Sequence, residues 1–261
     1  MDTAKAKIET AIKEYVKNYH TEKNTETTWK EPIIGYADAT DPLFEQLKKI
    51  ANPEHEMPTQ LLKNAKTVIA YFVPFGEEII KSNIKAEESS REWDMAKIET
   101  NIIIEDIAQE IKKIINEMGY EVETDLPTNF DKEKLLSKWS KRHVAYIAGI
   151  GTFGIHNLLI TESGCCGRIG NVITTIKLQP TQRDEKEKCL YKRNGTCKAC
   201  VKKCVANAIT TENGYPYVDR HLCDKQIDKL IQHYQKGDGD ACGKCSCGVP
   251  CSTTNPSAKL N

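Results

Sequence analysis

The sequence predicts an α+β protein with two domains, a layered domain over residues 1–180 and a small cysteine-rich domain over residues 181–261. Two observations predict this division. Strand-like and helix-like segments alternate through the first part, which is typical of a sheet covered by helices. All 11 cysteines lie from Cys165 onwards, and the polar segment TQRDEKEK separates the two textures.

Hydrophobic periodicity predicts the elements of the first domain in order. Helices are predicted over residues 1–20, 43–50, 93–118 and 131–149, the last two closed by Gly119 and Gly149. The third helix turns Ile98, Ile102, Ile103, Ile107 and Ile111 inward. Strands are predicted over 32–39, 65–75, 120–125 and 169–178, and Pro74 ends the second of them.

Composition and charge disfavour several classes of protein. Lys+Arg and Asp+Glu both total 37, so no net charge attracts the chain to nucleic acid or to a membrane. The N-terminal segment is a charged amphipathic helix rather than a signal peptide, and no apolar run approaches the roughly 20 residues that span a bilayer. We therefore expect a cytoplasmic protein.

The cysteine spacing predicts metal binding. An odd number of clustered cysteines in a chain without an export signal argues against disulfides. The end of the first set, C-x2-C-x3-C, matches part of the bacterial ferredoxin run, in which the last cysteine ligates the other cluster. The cross-over prediction is one 4Fe–4S cluster on Cys189, Cys197, Cys200 and Cys251 and a second on Cys223, Cys242, Cys245 and Cys204. Two four-cysteine zinc sites are the alternative.

A glycine-rich segment, RHVAYIAGIGTFGIHNLLI, forms the second informative stretch. Its helix, glycine turn and strand run in the reverse order of a dinucleotide-binding fingerprint, so that reading is excluded. Closely spaced glycines indicate a backbone that approaches either a flat ligand or another part of the protein. Both interpretations stay open, as do the packing and the cofactor-facing interpretations of the Cys165–Cys166 pair.

The segments RHVAYIAGIGTFGIHNLLIT, GRIGNVIT, CKACVKKC and CGKC…VPC together resemble epoxyqueuosine reductase and its relative, reductive dehalogenase. IIGYADA and LLKNAKTVIAYFVP occur in the expected order, so the resemblance covers most of the chain. It implies a nitroreductase-like cobalamin-binding domain followed by a two-cluster ferredoxin-like domain. It also implies that the clusters pass electrons singly to a base-off corrinoid. A flavin remains the alternative to cobalamin, because nitroreductase-like folds also serve flavins.

The resemblance implies that the glycine turn and the GRIG strand border the corrinoid. The candidate pocket residues are Arg142, His143, Gly149, Gly151, Phe153, Gly154, His156, Asn157 and Arg168. His143 stands where the family has an aspartate, and an imidazole can deliver a proton near neutral pH. Tyr146, on nearly the same helix face, is a second candidate donor or a core tyrosine. His156 is a candidate axial ligand of cobalt or a structural histidine.

The expected function is that of an oxidoreductase that accepts electrons from reduced ferredoxin or flavodoxin and reduces a small-molecule or protein-bound substrate. The departure at His143 argues against queuosine chemistry. The sequence ends at Asn261 without a helical-repeat extension and has no basic stripe, so tRNA is not an expected partner. The rival interpretations are an electron-transfer or activator protein that serves a partner's cofactor, and a zinc-stabilised interaction module.

Overall fold

A computed structural model describes residues 2–260 of the chain. Its α-helices are α1 Asp2–Lys23, α2 Leu43–Ile50, α3 Pro58–Leu61, α4 Glu77–Lys85, α5 Arg91–Glu117, α6 Lys141–Ile147, α7 Leu190–Asn194, α8 Ala199–Lys203 and α9 Arg220–Lys229. Its strands are β1 Ile33–Asp38, β2 Thr67–Pro74, β3 Val122–Glu123, β4 Phe130–Asp131, β5 Leu136–Ser137, β6 Thr152–Phe153, β7 Leu159–Ile160, β8 Gly167–Thr174, β9 Ile209–Thr210, β10 Tyr217–Val218, β11 Gln232–Tyr234 and β12 Gly237–Gly239. A single 3₁₀ turn, Glu212–Gly214, lies between β9 and β10.

A four-stranded sheet in the order β1-β2-β8-β3 forms the centre of the molecule, and each neighbouring pair is antiparallel. Every residue of β2 is buried, as expected of an apolar run in a central strand. Tyr71 pairs with Gly170 across β2 and β8, and a Cβ on Gly170 would lie 2.2 Å from the Tyr71 ring. The mixed helix and sheet class is confirmed, and the antiparallel pairing is that of an α+β domain.

Helices cover both faces of the sheet. Successive strand residues point to opposite faces, so β2 contributes Ile69, Tyr71 and Val73 to one core and Val68, Ala70 and Phe72 to the other. The first core is closed by α1 and α5, and the second by α2, α6 and the fully buried Trp139. Burial of these apolar faces contributes the main stabilising term, about 25 cal/mol per Å² of apolar surface removed from water.

The cysteine-rich part packs tightly against the first part, chiefly on α4 and α5. Gly243 lies so close to Trp93 that a Cβ would stand 2.2 Å from the indole, and Gly239 is as tightly placed against Asp94. Lys236 forms an ion pair of 2.6 Å with the buried Glu99 of α5. Residues after 181 are therefore anchored on the helix that also covers the central sheet.

The structure corrects three details of the predicted elements. Residues 131–149 do not form one helix: the short hairpin strands β4 and β5 come first, Leu135 takes a positive φ of 52°, and only α6 is helical. Ile102 is 42% exposed rather than inward. The strand predicted over 120–125 is reduced to the two residues of β3. Within residues 2–260 no helix combines the length and apolarity needed to traverse a bilayer.

Candidate functional site: two cysteine groups and a basic cavity

Four cysteines converge near the C-terminal loop and are called group A: Cys189, Cys197, Cys200 and Cys251. Cys189 directly precedes α7, and Cys200 lies in α8. Cys251 lies in a loop about 50 residues later in the chain. All four line one cavity. Burial, with the charges of the three neighbouring cysteines, raises the pKa of the Cys200 thiol to about 12. Four thiolates in one cavity repel one another, and a bound metal would offset that repulsion.

A second set, group B, consists of Cys204, Cys223, Cys242 and Cys245. These residues also line one cavity. Burial and the other cysteines of the group raise the pKa of Cys245, and the same causes raise those of Cys223 and Cys242. The Cys204 sulfur accepts a 3.3 Å hydrogen bond from the backbone N–H of Ala208.

The two groups exchange one member each. Cys204 directly follows the helix that carries Cys200 yet lies in group B, and Cys251 follows Cys245 yet lies in group A. The structure thus brings together the same two sets of four that the sequence predicts as ligands. That the two sets hold iron–sulfur clusters stays a prediction.

The three remaining cysteines are buried between the groups and the sheet. The backbone N–H of Cys165 donates to the Cys251 carbonyl at 2.9 Å, and the thiol of Cys166 donates to the Ser246 carbonyl at 3.2 Å. Asn83 donates to the Cys247 sulfur at 3.4 Å. All 11 cysteines are free thiols. Hydrogen bonds from Cys165 and His156 lower the pKa of Cys251 to about 5.

A cavity of about 870 Å³ opens between α5, the loop before α6 and the start of β8. Phe72 and Trp139 supply aromatic walls, and Asn101, Ser137 and Ser140 supply polar groups. Five cations line it, Lys97, Lys132, Lys141, Arg142 and Arg168, against two acids, Glu105 and Asp240. In a chain of zero net charge this is a marked local excess of positive charge.

The cations differ in how they are compensated. Lys97 is ion-paired with Asp240, and Arg142 donates to the Asn157 carbonyl at 2.6 Å. Arg168 has no ion pair among residues 2–260. Burial and then the nearby Arg168 lower the pKa of Lys141, and burial lowers that of Arg168. Lys141 and Arg168 are half-buried, and a cation withdrawn from water without an ion pair is stabilised when an anion binds beside it.

Of the predicted pocket residues, Arg142 and Arg168 line the cavity, and the GRIG strand borders it through Gly167 and Ile169 as well. His143, Gly149, Gly151, Phe153, Gly154, His156 and Asn157 are not among the lining residues. A Cβ on Gly151 would lie 2.4 Å from the Ile160 carbonyl oxygen. Gly151 is therefore crowded by protein, whereas Leu158 and Leu159, which follow the turn, line the cavity, and the expectation that the turn borders a ligand stays a prediction.

The predicted proton donors also lie outside the cavity. His143 Nδ1 pairs with the Ser140 hydroxyl at 2.7 Å, and its ring packs on Phe153 at a centroid distance of 4.8 Å. Tyr146 is 37% exposed, and its ring also packs on Phe153, at a centroid distance of 6.0 Å. Burial, reinforced by Arg142, lowers the pKa of His143 to about 4, so its imidazole is neutral at pH 7. This neutral form does not favour His143 as a donor near neutral pH, and that role stays a prediction.

His143 should make folding acid-sensitive instead. Its pKa of about 4 in the folded chain lies below the usual value of 6.5, so the unfolded chain binds the proton first. The stabilising contribution is present above pH 6.5 and is lost as the pH falls toward 4. We expect His143→Asn to flatten the loss of unfolding free energy over that range in urea titrations. The difference in unfolding free energy between wild type and His143→Asn at pH 8 gives the cost of the substitution itself. If the unfolding free energies of the two proteins fell in parallel down to pH 4, His143 would not be the source of the acid sensitivity.

Sequence reasoning missed several cavity residues. Lys97, Asn101 and Glu105 recur every four residues on α5 and form a polar stripe on a helix that is otherwise apolar toward the core. That stripe is a signal that could have been noticed. Asp240 and Lys132 come from irregular segments, and nothing in their local sequence indicates the cavity.

A scan against protein-family models and a search of curated proteins both find no match. Solved structures do match. Epoxyqueuosine reductase from Streptococcus thermophilus is 17% identical, with a TM-score of 0.56 over 93% of this chain and 68% of that chain. An epoxyqueuosine reductase solved with a tRNA-Tyr stem loop is 16% identical, with a TM-score of 0.56 over 94% and 66%. The catabolic reductive dehalogenase NpRdhA is 15% identical, with a TM-score of 0.59 over 85% and 30%.

These matches define the class of fold. The chain has the fold of the epoxyqueuosine reductases and of the reductive dehalogenase, and the resemblance predicted from the sequence is confirmed at that level. The chain spans about two thirds of the length of the former and under a third of the latter. Because one neighbour was solved with a tRNA stem loop, the comparisons do not support the expectation that tRNA is excluded.

Proposed function

We propose that this protein is an iron–sulfur oxidoreductase that binds two 4Fe–4S clusters on groups A and B and a corrinoid in the basic cavity. The observation that carries the proposal is the placement of two four-cysteine sets beside a cavity of about 870 Å³. Bound clusters would supply one-electron transfer and a corrinoid the reducing metal centre. The fold shared with reductases of this kind supports the same assignment.

The sulfur spacing favours clusters over lone zinc ions. Zn–S bonds of about 2.3 Å in a tetrahedron hold sulfurs roughly 4 Å apart. Among residues 2–260, only His156, Cys165 and Cys251 place three ligand atoms mutually within 4.8 Å, so neither group is that compact. An iron–sulfur cubane holds its four thiolates farther apart than a single ion does. Both groups therefore fit a cluster better.

The cavity fits a large cofactor that carries a phosphate group. Its volume of about 870 Å³ is at the upper end of the roughly 300–1,000 Å³ common for ligand sites. Aromatic walls suit a flat ring system, and polar side chains suit its amides. Arg168, which forms no ion pair within residues 2–260, suits a phosphate such as that of the cobalamin nucleotide loop. A flavin phosphate has the same chemistry and stays the alternative occupant.

Group B is the cysteine set on the cavity side. Cys165, Gly167, Arg168 and Asp240 line both the cavity and the space around group B. The charge of Arg142 is close enough to Cys223 and Cys245 to interact with both thiolates. Arg142, which also donates to the Asn157 carbonyl, would hold the cavity wall against group B.

Lys141 is the side chain that we place as proton donor. Lys141 lines the cavity, and burial together with the nearby Arg168 lowers its pKa, which makes the Nζ proton easier to release. Ser140 lines the same cavity, and its hydroxyl is hydrogen-bonded to His143. We propose that Ser140 helps to orient the substrate.

The electron donor would dock on the group A side. Lys192, Lys198 and Lys202 are exposed on the short helices and the loop that carry Cys189, Cys197 and Cys200. Such a basic surface complements an acidic carrier and steers its approach. We therefore propose reduced ferredoxin or flavodoxin as donor, in the reducing interior of the cell that free thiols suit. A small-molecule or protein-bound substrate remains our expectation.

The experiment titrates anaerobically reconstituted protein with cobalamin and follows the absorbance spectrum. We expect saturable binding and a shift toward the base-off form. Protein with full iron and sulfide that leaves the cobalamin spectrum unchanged would contradict the corrinoid assignment. It would favour the electron-transfer or activator protein, which needs no cavity of this size.

A further inference from the structure

We propose that His156 is a positioning residue whose Nε2–H donates a hydrogen bond to the sulfur of Cys251 and thereby raises the reduction potential of the group A cluster. This inference rests on the proposed function, since it assumes a cluster on group A. It gives His156 a role at the cysteines rather than at the cavity, from whose walls it is absent.

The neighbours of the imidazole fix its tautomer. The backbone N–H of Leu158 donates to Nδ1 at 3.1 Å, so Nδ1 is an acceptor and carries no proton. In the neutral ring the proton therefore resides on Nε2. Nε2 lies 3.4 Å from the Cys251 sulfur. His156 is only 4% exposed, so water does not compete for this donor.

The glycine turn seats the ring in this position. A Cβ on Gly154 would lie 2.4 Å from Cε1 and 2.7 Å from Nδ1 of His156, so only glycine admits the imidazole there. The Gly154 N–H donates to the Leu158 carbonyl at 2.9 Å, and the Asn157 N–H donates to the Gly154 carbonyl at 3.0 Å. Asn157 takes a φ of 59° to close the turn. The crowded backbone of this motif thus holds a histidine rather than a ligand.

The sulfur is fixed as firmly as the donor. The backbone N–H of Cys165 donates to the Cys251 carbonyl at 2.9 Å, and the Cys166 N–H donates to the Ser252 carbonyl at 3.1 Å. Gly164 allows this approach, because a Cβ there would lie 2.4 Å from the Ser252 oxygen. Donor and acceptor are therefore held by separate backbone clamps, and the hydrogen bond persists without a mobile side chain.

The consequence for the cluster is electrostatic. Reduction adds negative charge, which spreads onto the ligating sulfurs, and an N–H dipole aimed at one of them stabilises the reduced state. We expect the effect on group A alone, because His156 hydrogen-bonds to Cys251 and does not line the cavity of group B.

The test is an EPR-monitored redox titration of reconstituted wild-type protein and three variants. His156→Leu removes the donor and should shift one of the two midpoint potentials downward while the other stays. His156→Gln keeps a side-chain N–H and should recover part of the shift. Gly154→Ala keeps the histidine but displaces its ring and should behave like His156→Leu.

Iron and sulfide content separates this inference from the proposed function. Wild-type protein without clusters would contradict the proposed function itself. If His156→Leu is fully loaded and both potentials equal the wild-type values, the His156 assignment is overturned. If His156→Leu loses its group A cluster, the other two variants carry the test. A lowered potential in Gly154→Ala and a partly recovered potential in His156→Gln support the assignment. If both variants have the wild-type potentials, the His156 assignment is overturned.

Discussion

Replacing Cys245 by alanine should remove about half of the iron and sulfide, whereas replacing Cys247, two residues away, should leave both contents unchanged. Cys245 lies in group B and its thiol meets the other three cysteines of that group. Cys247 is 1% exposed, and its sulfur accepts a hydrogen bond from Asn83 instead of lining either cysteine cavity. Cys247→Ala should cost about 1 kcal/mol of unfolding free energy, as an ordinary buried substitution does.

The exchanged ligands give this prediction a sharper form. Cys251→Ala should remove the same EPR signal as Cys189→Ala, although Cys251 is closer in sequence to Cys245. Cys204→Ala should remove the same signal as Cys245→Ala. If Cys251→Ala instead removed the same EPR signal as Cys245→Ala, its neighbour in sequence, the cross-over arrangement would be contradicted.

Replacing Arg168 by methionine should weaken cobalamin binding by about 10- to 100-fold. Arg168 lies at the start of β8, lines the cavity and has no ion pair in the described chain. A hydrogen bond to a charged group contributes about 1.5–3 kcal/mol, which corresponds to that loss of affinity. The measurement is an absorbance titration of reconstituted protein.

Two controls show whether the loss reflects the phosphate. Arg91→Met removes an exposed guanidinium that is paired with Glu26 and does not line the cavity, and it should bind cobalamin as wild type does. Cobinamide, which lacks the nucleotide phosphate, should bind equally to wild type and to Arg168→Met. Unchanged cobalamin affinity in Arg168→Met would remove Arg168 from the cofactor site.

The hydrophobic patterns of the sequence predicted the helices and strands whose own residues determine their conformation. The apolar run of β2 and the isoleucine periodicity of α5 each carry one strong signal, and both elements are present. Residues 131–149 carried a helical pattern too, but Trp139 is drawn fully into the second core. There the His55 ring accepts the N–H of Ser140. Tertiary packing overrode the periodicity at that point.

The site divides in the same way. Cysteine spacing is a local signal, and it predicted both sets of four that converge in space. The cavity draws residues from α5, the hairpin before α6, β8 and the segment at Asp240, which no local pattern connects. The glycine turn shows a further limit, because sequence reveals backbone crowding without revealing its partner. At Gly154 the partner is the His156 ring, and at Gly151 it is the Ile160 carbonyl.

The central claim is that two iron–sulfur cubanes occupy groups A and B, and metal analysis with Mössbauer spectroscopy of anaerobically purified protein tests it most directly. We predict about eight iron and eight sulfide per chain, with the spectrum of two 4Fe–4S clusters and no stoichiometric zinc. Two zinc ions per chain without sulfide, or sulfurs joined as disulfides, would contradict the account.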